Sequence, residues 1–162
     1  MTEFDTSHRV FVSYIDKSRE YYLARGYGNP YRWAHHKDVP FSPLKKALNK
    51  SRVALVTTAA LTKESAATSE VYAAPTEPPP AVLFTEHRSW DKAATHTRDV
   101  ETFLPIRRVR EFAAAGRIDN LSPHFYGVPT DFSQRRTIDK YAPELLDVCR
   151  ADAVDLALLV PL

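Results

Sequence analysis

Glycine and cysteine are scarce in this sequence, and each scarcity closes a line of chemistry. Only four glycines occur in 162 residues, too few for a glycine-rich phosphate loop, and no G-x-S-x-G nucleophile elbow is present. The single cysteine, Cys149, excludes an internal disulfide. Together with the polar opening MTEFDTSHR, which has no apolar leader segment, it leads us to expect a reducing, cytoplasmic compartment. Long apolar runs are missing as well: VDLALLVPL contains Asp155 and falls short of the roughly 20 residues that span a bilayer. Charge of one sign is nowhere concentrated, since 22 basic and 20 acidic residues are interspersed. No nucleic-acid footprint is therefore expected, and KKALNKSR (45 to 52) reads as a solvated helix face.

What is present has the balance of a soluble globular domain, 44% hydrophobic and 26% charged, and 162 residues fit one α/β domain. RVFVSYIDKSREYYLARGYGNP predicts a helix from about 14 to 25, stopped by Gly26, Gly28 and Pro30. A short helix is expected at 42 to 48 and a buried parallel strand at Val53 to Thr57, in SRVALVTTAAL. Residues 62 to 80, TKESAATSEVYAAPTEPPP, read as a flexible proline-rich loop, and AVLF (81 to 84) as a second strand. LPIRRVREFAAAGRI predicts a helix with Pro105 at its start, Ile106, Val109 and Phe112 to Ala113 on one face, and Gly116 at its end. LSPHFYGVPTDFSQ (121 to 134) reads as a turn-rich loop. A helix at about 143 to 150, with Leu145, Leu146 and Cys149 inward, and a strand at 154 to 160 complete the pattern. Strands alternating with helices predict a mostly parallel sheet with flanking helices.

Ligands of open parallel sheets bind beyond the carboxyl ends of the strands. That filter selects Thr57 and Thr58 after the first strand and Thr85, Glu86 and His87 after the expected second one. The stretch EHRSWDKAATH offers Glu86, His87, Asp91 and His96, types that exchange protons or bind metals, but its spacing matches no strong metal signature, and no metal is expected. Cys149, on the apolar stripe of ELLDVCR, reads as a small buried hydrophobe.

Three stretches together resemble the selenoprotein B family of glycine, sarcosine, betaine and D-proline reductases, in particular its shorter bacterial relatives. They are YYLARGYGNPYRWAHHKDVPFSPLKKALNKSRVALVTTAA, DVETFLPIRRVREFAAAGRIDNLSPHFYGVP and APELLDVCRADAVDLALLVPL. The resemblance implies an oxidoreductase subunit that cleaves a carbon–heteroatom bond reductively through a selenol or thiol, with a partner protein resolving the covalent adduct. It implies no cofactor within these residues. In the family, the segment resembling VDLALLVP runs into a selenocysteine or cysteine, a proline and a second cysteine, so a selenocysteine is expected immediately after Leu162. On that expectation the chain is incomplete at its carboxyl end, as it would be if a UGA codon were read as a stop, and inactive by itself.

Onto matching positions the resemblance carries Glu86 and His87 as catalytic candidates, and Thr57, Thr58, His124 and Tyr126 as substrate contacts. The stretch HRSWDKAATHTRD departs from the pattern of the better-known amino-acid reductases, so glycine or proline is not carried over as substrate. Two alternatives compete with this reading. One is a non-catalytic subunit whose final strand pairs with a separate chain. The other is a metal-assisted enzyme using Glu86, His87, Asp91 and His96.

Overall fold

The computed structural model describes residues 13–28, 34–35, 37–39, 42–65, 70–85, 96–131 and 133–162, apart from the side chains of Tyr14 and Ile15. The chain divides into two compact units, residues 1–40 and 41–162. In the first unit, helix α1 (Tyr14–Ala24) begins where the Ser13 hydroxyl accepts a hydrogen bond from the Asp16 amide at 3.3 Å. It ends at Gly26, whose φ of +83° lies in the left-handed region that a side chain resists.

The second unit is built on a mixed, mostly parallel sheet of five strands: β1 (Arg52–Thr57), β2 (Tyr72–Pro75), β3 (Asn120–Leu121), β4 (His124–Gly127) and β5 (Leu156–Val160). The α/β class expected from the sequence is the one observed. β1 lies at the centre. It pairs in parallel with β5 over five residues, Val53 opposite Leu156 through Thr57 opposite Val160. On its other side it pairs in parallel with β3 at Arg52 and Val53, then with β4 at Val56 and Thr57. Pro123 has no amide proton to give a ladder, and β3 and β4 form one broken strand around it. β2 closes the far side, antiparallel to β4.

Burial follows this placement. Val53 to Thr57 are at most 3% exposed, because a central parallel strand is covered on both faces. Alternation along β1 divides the core into two layers. Val53 and Leu55 face Phe103, Leu104, Ile106, Val109 and Phe125. Ala54 and Val56 face Tyr126 and Cys149, with Leu145 and Val148 packed beside them. The first layer is covered by helix α2 (Ile106–Ala114). The second is covered by α4 (Ala142–Ala151), which continues from a short helix α3 (Gln134–Arg136) through a π-helical turn at Thr137–Tyr141. Asp131 secures the start of α3: its carboxylate accepts from the Ser133 amide, from Arg136 and from the Tyr141 hydroxyl. Those bonds, the one from the Ser133 amide above all, hold its carboxyl below the usual range.

Several local expectations are corrected. Residues 62–80, read as a proline-rich loop, contain β2, with Ala74 and Thr76 buried; 66–69 lie outside the described residues. AVLF forms no ladder, only a bridge from Phe84 to Ala60, while Leu83 goes into the core. The helix expected at 42–48 is a single 3-10 turn at Leu48–Lys50. The turn-rich 121–134 stretch contains β4. Phe112 is 42% exposed and covered by the Arg117 guanidinium, 4.5 Å from its ring centroid, rather than packed with Ile106 and Val109. Leu146 is likewise 48% exposed, one position off the stripe that buries Cys149 and partly buries Leu145.

Candidate functional site

The carboxyl edge of the sheet brings together the ends of β1, β4 and β5 and the start of antiparallel β2. Thr57 is 1% exposed, and its hydroxyl accepts from the Ala59 amide at 3.2 Å, which tightens the turn out of β1. Its carbonyl accepts from the Val128 amide at 3.0 Å. Thr58, half-buried, accepts from the Leu162 amide at 2.9 Å, so the segment leaving β5 is held beside the turn leaving β1. Tyr72 closes this edge over Gly127. Its hydroxyl donates to the Ala59 carbonyl at 2.9 Å, and its ring meets Phe125 edge-on at 6.1 Å. A Cβ on Gly127 would fall inside the Tyr72 ring.

A second polar cluster lies at the opposite, amino-terminal edge. Asp152 caps the end of α4, and one of its carboxylate oxygens receives both the Tyr126 hydroxyl at 2.6 Å and His124 Nδ1 at 2.8 Å. Ser122 Oγ is 3.2 Å from the Tyr126 hydroxyl. Arg52 donates from Nη1 to the Asp152 carbonyl at 2.5 Å and from Nε to Asn120 at 2.9 Å, tying β1 and β3 to the end of α4. Next along the chain, Asp155 accepts from the Arg52 amide and from Lys46 Nζ, both within 3.0 Å.

The electrostatics of this cluster follow from its burial. Burial pushes the Tyr126 hydroxyl well above its ordinary value, and the bond to Asp152 adds to the rise, so the phenol remains a proton donor. For Asp152, burial would raise the carboxyl. The hydrogen bonds from Tyr126 and His124, with the charges of His124 and Arg52, outweigh it and hold the group below the usual range. An ionised Asp152 only accepts, so Nδ1 of His124 carries the proton. The imidazole, 42% exposed, is thereby fixed in orientation.

The candidates selected from the sequence thus fall into separate places. Thr57 and Thr58 lie at the carboxyl edge. His124 begins β4, roughly 10 Å of strand away at about 3.3 Å per residue, and Tyr126 shares its face and its partner. Glu86, His87 and Asp91 lie outside the described residues, and His96 is exposed. Among the described residues no three histidine, cysteine or acidic side chains converge as a metal site. Sequence reasoning missed Ser122, Asp152 and Arg52. The alternation in HFY was a usable signal for His124 and Tyr126 sharing a face, but nothing local links them to a carboxylate 26 or more residues away.

Cys149 is buried against this second layer, and burial, followed by the Asp152 charge, pushes its thiol up. Native protein treated with a thiol reagent at neutral pH is expected to react slowly, and protein unfolded in guanidinium rapidly. Equal rates in the two states would contradict this placement.

Among the described residues no helix is long and apolar enough to cross a membrane. Comparison of the chain with family models, with curated proteins and with solved structures finds no match.

Proposed function

We propose that the 41–162 unit is the scaffold of a reductase subunit of the kind the sequence resembles. In this reading a selenol or thiol acts at the carboxyl edge of β1 and β5. One observation carries it: β5 runs parallel to central β1 to the level of Thr57, and Thr58 fastens the Leu162 amide beside the end of β1. A group placed just after this strand lies where open parallel sheets bind their ligands. A thiolate or selenolate there is exposed to substrate, and the start of a following helix would lower its pKa. Thr57 and Thr58 shape that edge, whereas His124 and Tyr126 brace the opposite one. The buried thiol of Cys149 makes a poor nucleophile, so the described residues supply support and not the redox group.

The test is the codon after Leu162 in the source gene, together with the mass of the protein made by the source cells. An in-frame UGA followed by proline and cysteine codons, with a selenium-containing product, is the expected result. A stop followed by unrelated sequence would end the proposal.

A second reading, a subunit that pairs with a separate chain, is favoured by the state of β5. Among the described residues β5 pairs with β1 alone, and it carries no charge between Leu156 and Val160. Leu158 and Leu159 are 42% and 68% exposed. Uncharged, unpaired edges of this kind accept further strands. Copurification from the source cells that recovers the unmodified chain without a second chain would remove this reading.

A further inference from the structure

We propose a second, separate binding site in the groove between the Pro79–Ala81 segment and the start of α2, with a short aliphatic monocarboxylate as its class of ligand. The groove encloses about 300 Å3, the lower end of the range for small-molecule sites. Its shape is held from below. Arg110 donates to the Thr76 carbonyl at 2.9 Å and pairs with Glu77, which pins the backbone leading into the proline wall. The φ angles of Pro79 and Pro80 are fixed by their rings.

The polar groups of the groove divide unequally between occupied and open. Asp99 accepts from the Glu101 amide at 3.1 Å, capping the 3-10 turn Val100–Thr102. Glu101 Oε1 accepts from the Arg107 amide at 3.0 Å, in the first turn of α2. Both carboxylates therefore face backbone N–H groups, whose partial positive charge offsets theirs. The arginines are less fully used. Arg107 reaches Glu101 only at 3.4 Å and its side chain is 71% exposed. Arg98 is exposed and has no ion pair or hydrogen bond among the described residues. Two guanidinium groups in one groove with open donor positions suit a carboxylate, which takes two parallel N–H bonds from each fork.

Two further features narrow the class. Glu101 Oε2 is buried with no hydrogen-bond partner among the described residues, and the Glu101 carboxylate lines the groove. It opposes a dianion more than a monoanion. Pro79, Pro80, Ala81 and Val100 provide an apolar wall for a short hydrocarbon tail.

The experiment is an amide chemical-shift titration of the 162-residue chain with butyrate, with n-butylammonium and inorganic phosphate as comparison ligands. Butyrate is expected to give saturable shifts at 98–101 and 107, with both comparison ligands at least about tenfold weaker. Arg98→Gln and Arg107→Gln are each expected to weaken butyrate about tenfold, the loss of one charge-assisted contact. Both side chains are exposed, so the variants should keep the wild-type melting curve. The ligand comparison on the unmodified chain decides the matter even if a variant fails to fold. Tighter binding of phosphate, equal binding of butylammonium, no saturable shift, or unchanged affinity in both variants would each overturn the proposal.

Discussion

Gly127→Ala is expected to lower stability by about 2–3 kcal/mol. The new methyl group would occupy the space of the Tyr72 ring, and the backbone on either side is fixed by pairing of β4 with both β1 and β2. The ring must yield. Swinging it out breaks the hydrogen bond to the Ala59 carbonyl and the edge-on contact with Phe125. Urea denaturation followed by circular dichroism reads the loss directly. A double-mutant cycle sharpens it: in a Tyr72→Ala background the Gly127→Ala change should cost almost nothing, since the clash is gone. An additive result would show that the glycine is required for another reason.

Asp152→Ala should cost a similar amount, about 2 kcal/mol or more, because it leaves the wholly buried Tyr126 hydroxyl with Ser122 alone and removes the acceptor of His124 Nδ1. Asp152→Asn is the milder test and carries the pH dependence. The folded carboxyl is held below the ordinary 3.8 of an aspartate. The stability owed to its ionisation is therefore fully present above that value and is lost as pH falls through the lower, folded one. Wild type should exceed the Asn variant at pH 6, with the gap closing below pH 3.8. A constant gap across that window would mean that the carboxylate charge plays no part.

Sequence reading succeeded at β1 and α2 but missed Tyr72, Gly127 and Asp152. β1 was legible because VALVT concentrates β-branched and apolar residues in a run short enough for a strand and bounded by polar ones. α2 was legible from Pro105 and Gly116 at its ends, the latter at φ +68°. β2 and β4 were not, since each is four residues long and set among prolines that locally signal a loop. Their strand character comes from pairing with each other and, for β4, with β1, a tertiary effect. The site divides in the same way. The carboxyl-edge filter placed Thr57 and Thr58, while the Asp152 cluster draws on β1, β4 and the end of α4, separated by up to 100 residues.

The central position of β1 also shapes how the protein is made. Arg52 must wait for Asn120, 68 residues later, and for Asp155, 103 residues later, before both flanks of its strand are paired. At a synthesis rate of about 5–20 residues per second, the most buried strand of the sheet stays without its final neighbour for roughly 5–20 seconds after it is synthesised. So late a pairing leaves apolar surface of the nascent chain uncovered in the interval and slows folding for a domain of this size.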